Sequence, residues 1–151
     1  MLLGDLDRVD SRGRRIRSVY FRDTVSESLT LGFSAGTLDP ADHALAVSAD
    51  VPVTLEYSAV SSTSANLCTA LSIVRKDQFG NPAAPSSATS VTLGGAGNGA
   101  FYTGSTCSTT TPTTTIASGA SSQTIYYRDS VVETGLTLTA TGLTTGAAQS
   151  L

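Results

Sequence analysis

The chain contains an internal repeat. Val19 to Thr24, VYFRDT, returns as Ile125 to Ser130, IYYRDS, at a separation of 106 residues; Leu29-Thr30-Leu31 returns as Leu136-Thr137-Leu138 at 107. Gly135 accounts for the extra residue. An apolar-polar alternation that comes back after about a hundred residues has the period of a β-domain, well above the ~20 to 50 residues of a solenoid unit. Val19–Gly36 and Ile125–Gly142 therefore read as one β-hairpin taken from two successive domains. With that period, 151 residues hold one complete domain and the last third of another.

The alternation extends along the chain. Val19 and Phe21 share one face of a predicted strand, and Leu29, Leu31 and Phe33 share one face of its predicted partner. Val51, Val53, Leu55 and Tyr57 alternate with polar residues, and Pro52 places that strand near a sheet edge. Leu67 to Lys76 reads as a further strand, with a short helix as the competing reading; periodicity leaves its inward face open, and a disulfide at Cys68 would favour that residue pointing inward. Asp77 to Pro82, DQFGNP, is a turn: Gly80 and Asn81 accept positive φ, Asp77 can bond back to nearby amides, and Pro82 stops the ladder. Short strands follow at 90–93, 100–103 and 114–117, separated by glycine- and threonine-rich loops. Seven or eight short strands at this spacing are the pattern of an all-β sandwich.

These segments divide the chain. Residues 1–18 lack periodicity and read as a flexible basic lead-in, 19–38 as the closing hairpin of an incomplete domain, 39–50 as a junction, and 51–148 as a complete domain that could open as early as residue 44. In a leading hairpin without its sandwich, Val19, Phe21, Leu29, Leu31 and Phe33 would be left uncovered, which makes them candidates for strand exchange with a neighbour.

Composition narrows the function. Charged residues are 14% of the chain, against the usual quarter, which fits a secreted β-protein better than a cytosolic enzyme. The net charge of −3 argues against nucleic acid as a partner. No run is apolar enough for membrane insertion as a helix, and the first residues do not form a signal peptide, so an export signal is expected outside this sequence. Two cysteines, Cys68 and Cys107, in a chain rich in Ser and Thr predict one disulfide; two free buried thiols are the alternative.

Catalytic and cofactor chemistry finds little support. His43 is the sole histidine, no Gly-x-Ser-x-Gly elbow occurs, and zinc would need more His and Cys. GGAGNG at 94–99 has no following Lys or helix and reads as a loop. Asp39, Asp42 and Asp50 near the junction are the calcium candidates, joined by Asp77 and Asn81, although ordinary turn aspartates account for them as well. No cofactor is expected.

The ordered set of Cys68, the Asp77–Pro82 turn, Ser90–Leu93, Phe101-Tyr102, Cys107 and Ile125–Asp129, with the hairpin echoed upstream, resembles the bacterial immunoglobulin-like repeats strung in tandem in surface or secreted proteins, in the style of invasin and intimin. The resemblance covers Ala44 to Gly146 as one repeat and Val19 to Leu38 as the tail of another. It implies an immunoglobulin-like sandwich of about seven strands, a Cys68–Cys107 disulfide, an extracellular or cell-surface location, and a non-enzymatic spacer or adhesive role. Its partners would be neighbouring repeats or subunits, with a cell-surface protein or glycan as further candidates. Two alternatives stay open: a carbohydrate- or protein-binding module in which Tyr20, Tyr102 or Tyr126 stacks on a ligand, and a strand-exchanging subunit of a fibre.

Overall fold

In the computed structural model the described residues are 6–9, 12, 15–34, 36–37, 39–58, 60, 62–144 and 146–151. Among them every regular element is a strand, and all pairing is antiparallel. The chain divides into two compact units, Met1–Ser48 and Ala49–Leu151, with the boundary inside the expected junction.

The first unit contains two hairpins. β1 (Leu6–Val9) pairs with β2 (Arg15–Ser18), and β3 (Glu27–Phe33) pairs with β4 (Ala41–Val47). Residues 6–9 and 15–18, where no strand was expected, are thus paired, because backbone pairing satisfies N–H and C=O groups without an apolar period; residues 1–5, 10–11 and 13–14 of the expected flexible lead-in lie outside the described residues. The expected hairpin is also corrected. Val19 to Asp23 forms no strand, and the Asp23 carboxylate instead accepts the amides of Thr24 (2.7 Å) and Val25 (3.0 Å), turning the chain out of any ladder. Residues 44–47 belong to β4 and so complete this unit rather than open the next sheet.

The second unit is a sandwich of eight strands: β5 (Thr54–Tyr57), β6 (Thr69–Lys76), β7 (Thr89–Gly94), β8 (Ala100–Tyr102), β9 (Thr113–Ile116), β10 (Ser122–Arg128), β11 (Thr137–Thr141) and β12 (Ala147–Ser150). One sheet has the order β5-β6-β10-β8 and the other β12-β11-β7-β9. Without β9 these are the A-B-E-D and G-F-C orders of an immunoglobulin-type sandwich, and β9 extends the second sheet beyond β7. β5 is an edge strand, as Pro52 predicts.

Alternation places Leu55, Leu71, Ile73, Val91, Ile125 and Leu138 between the sheets, each at most 1% exposed. Burying each contributes about 1.5 to 3 kcal/mol against leaving it in water. The ring of Phe101 packs 5.7 Å from that of Tyr127, and the Tyr57 hydroxyl, buried and pushed up to about 12, donates to the Thr139 carbonyl. Glycine is required at Gly95, with φ +73, because a Cβ there would strike the Thr137 carbonyl.

Two expectations for this unit are corrected. β10 and β11 are not a hairpin: they lie in different sheets, and residues 129–136 cross between them. Cys68 precedes β6, and the alternation that turns Leu71, Ile73 and Arg75 inward leaves Cys68 on the opposite side, with Ala70 and Ser72. The Cys68–Cys107 disulfide is formed, but it ties the lead into β6 to the loop after β8, across β10 in the same sheet, and does not bridge the two sheets.

Candidate functional site

The cross-strand register extends the repeat beyond what the sequence shows. In β3–β4, Leu29 faces Leu45, Leu31 faces His43 and Phe33 faces Ala41. In β11–β12, Leu138 faces Gln149 and Ala140 faces Ala147, while the Leu151 amide binds the Leu136 carbonyl. The two hairpins match pair by pair, so Ala41-Asp42-His43-Ala44-Leu45 is the counterpart of Ala147-Ala148-Gln149-Ser150-Leu151. β3–β4 and β11–β12 therefore share one register at a spacing of 106 to 107 residues.

One end of the second unit gathers the polar side chains of the repeated motif. The Tyr127 hydroxyl lies 3.0 Å from both the Ala96 carbonyl and the Asp129 carboxylate. Burial, then the Asp129 charge, pushes the tyrosine's pKa up. The Val131 amide, opposed by burial and helped by the Tyr127 hydroxyl, holds Asp129 below the usual carboxylate range. The Asn66 amide donates to the Asp129 carbonyl, and the Asn98 side chain donates to Glu133, so three loops are tied together at this end. A cleft of about 110 Å³ opens there between residues 62–65 and the Val131–Glu133 loop. Glu133 reaches Asp129, and in the first unit Glu27 reaches Asp23 in the same way 106 residues earlier. Sequence reading missed this repeated carboxyl pair, although the shared spacing of Asp and Glu was visible.

The opposite end is organised by Asp77. Its carboxylate accepts the Phe79 and Asn81 amides (2.9 Å each), the Asn81 side chain (2.9 Å) and the Asp50 amide (3.0 Å). The predicted turn is present, with Gly80 at φ +86. Burial alone would raise the carboxyl, but these hydrogen bonds outweigh it and hold Asp77 at about 2. The folded-state value lies below the 3.8 of an unperturbed aspartate, so the stabilisation is present above about pH 4 and is lost as pH falls through about 2. Stability measured by urea unfolding from pH 5 to pH 2 is expected to fall more steeply for the wild-type chain than for Asp77→Asn. Equal slopes would remove Asp77 from the linkage.

A third site was not foreseen. Arg75, inward on β6 and 0% exposed, donates to the carbonyls of Ser87 (3.0 Å), Ala117 (3.0 Å) and Ala120 and to the Thr89 hydroxyl (2.8 Å). Its Nε has no partner, and among the described residues none of its contacts is a carboxylate. Burial lowers its pKa, yet a guanidinium stays charged in proteins. The side chain plugs the sandwich where the β6–β7 and β9–β10 loops meet. Its signal in the sequence was a charged residue in the parity of Leu71 and Ile73.

The expected site residues are placed as follows. Tyr102 is 9% exposed, and the Arg128 guanidinium lies 5.3 Å from its ring centroid, so its face is covered. Tyr126 is half-buried and faces Tyr102 across the strands. Tyr20, in the first unit, is 55% exposed. Val19, Phe21 and Phe33 are exposed, while Leu29 and Leu31 are half-buried. Asp50 is engaged by the Val51 amide and the Gln78 side chain, and Asp39 and Asp42 are exposed, with Asp42 on β4. Among the described residues no group of three or more His, Cys, Asp or Glu could hold a metal ion. His43 is exposed on β4.

No family model matches the chain, and no curated protein matches it.

Proposed function

We propose that this chain is a non-enzymatic structural or adhesive segment of an extracellular bacterial surface protein or filament built from immunoglobulin-like repeats. The observation that carries the reading is the pair-by-pair match of β3–β4 with β11–β12 one 106-residue period apart. A hairpin of this register closes a sandwich in the second unit, so its first copy reads as the close of a preceding domain. The disulfide and the polar sheet faces suit an oxidising, exposed setting.

The role is to hold distance and bear load between neighbours. Pulled from its ends, residues 49–151 would extend to about 230 Å with the disulfide intact and about 370 Å when it is reduced, at ~3.6 Å per residue, because the crosslink withholds the 39 residues between Cys68 and Cys107. Single-molecule force spectroscopy with and without reductant is expected to give these two lengths as a discrete unfolding step. A chain that extends without a resolved step is not a load-bearing module.

The ligand-binding alternative rests on Tyr20 and the half-buried Tyr126, since Tyr102 is covered; specific signal on a glycan array, lost in Tyr20→Ala or Tyr126→Ala, would favour it. Strand exchange into a second copy meets a steric obstacle. Phe33 holds the register position of Ala140, which is fully buried, so the exchanged hairpin would overpack that core at a cost of about 1 to 3 kcal/mol or more.

A further inference from the structure

Five large hydrophobic side chains of the second unit are exposed: Val51, Leu67, Phe79, Val131 and Val132, between 48% and 82% each. None lies in a strand, and the five fall into two groups at opposite ends of the sandwich. At one end the Asp50 amide and the Gln78 side chain join the entry to β5 to the β6–β7 loop, which places Val51 with Phe79. At the other, the Asn66 amide on the Asp129 carbonyl joins the β5–β6 and β10–β11 loops, which places Leu67 with Val131 and Val132. Single exposed apolar residues need no explanation, but apolar tips at both ends of a domain with Ser- and Thr-rich sheet faces do.

The path of the chain says what fits them. It enters the sandwich at the Val51 and Phe79 end and finishes at the other, where Leu151 binds Leu136. Leu45 and Leu151 hold the same register position and Val51 lies six positions beyond Leu45, so in a series of such domains five residues separate the counterpart of Leu151 in one from Val51 of the next. Six steps along the chain reach no more than about 20 Å. The two kinds of end are therefore held close wherever copies follow one another.

We propose that the two ends are the halves of one head-to-tail interface, in which the Val51 and Phe79 end of one copy of this domain seats on the Leu67, Val131 and Val132 end of another. The inference deepens the repeat reading and rests on it. An interface of this kind is heterologous: each copy keeps one free end of each type, and association continues into a linear series.

The test uses the full chain in sedimentation experiments from about 10 μM to 1 mM, a range that captures weak interfaces. The wild-type chain is expected to form dimers and longer species as concentration rises. Phe79→Asp and Val132→Asp each remove one half of the interface, and each alone should weaken association about tenfold or more. Mixed together they should regain a dimer and nothing longer, because each supplies the half the other lacks; that recovery also shows that both variants fold. Thr115→Asp, on a sheet face, should associate as the wild type does. A monomer throughout the range overturns the proposal. So does association that survives both substitutions, which assigns it to the first unit, or association lost in only one variant, which indicates like ends pairing. The force measurement reads the load-bearing role independently of these outcomes.

Discussion

Arg75→Ala is expected to destabilise the second unit by about 3 to 5 kcal/mol, from a core void and several buried acceptors left unpaired. The residue is fully buried, so its loss leaves a void and strips the donor from three carbonyls and one hydroxyl at once. Each buried acceptor left unpaired costs about 1 to 3 kcal/mol, less where water can follow it in. Two further variants separate the contributions. Arg75→Met keeps much of the stem and tests the acceptors alone; Arg75→Lys keeps the charge but offers a compact ammonium that cannot span four acceptors. Urea unfolding followed by circular dichroism should rank them wild type, then Lys and Met, then Ala. A loss below about 1 kcal/mol for Arg75→Ala would show that the loops around it hold without the plug.

Removing the disulfide is expected to cost about 3 to 4 kcal/mol in the chain-entropy model for a closed loop of 39 residues. Part of that gain is offset in the native state, because Cys107 is a non-glycine residue at φ +46. The structural consequence should be local first. β8 has three residues, β10 is the one strand it pairs with among the described residues, and the following segment returns through a Tyr102–Thr110 bridge and Thr103 to Thr109 and Thr111 to Phe101 backbone bonds. In a Cys68→Ser/Cys107→Ser chain, amide exchange at Thr103 and Thr111 should quicken well before exchange at Ile73 and Ile125. Uniform acceleration across the sheet would mean that the crosslink stabilises the domain only as a whole.

For an array, these two devices act on different parts of the same sandwich. Arg75 fixes loops near the end that carries Val51 and Phe79, while the disulfide shortens the length of chain that tension can release. Reduced and oxidised domains would therefore differ in reach as well as in stability.

Much of this architecture was legible in the residues. Alternation at Leu55–Tyr57, Leu71–Ile73 and Ile125–Tyr127 determined that the chain makes strands and which residues share a face, since side chains on a strand alternate whatever its partner is. The Asp77–Pro82 turn could be read from its local chemistry, and the 106-residue period from simple comparison. Which strands pair was decided only by the tertiary structure. Val19–Phe21 and Ile125–Tyr127 share a pattern, yet the first turns away at Asp23 and the second lies beside β6. β10 and β11 are neighbours in sequence but lie in opposite sheets, and β4 closes the first unit. The burial of Arg75, the outward side of Cys68 and the gathering of exposed apolar tips at two ends likewise depend on contacts between residues far apart in the chain. Local patterning carries the period and the face; the choice of partner comes from long-range packing, which no short window of sequence contains.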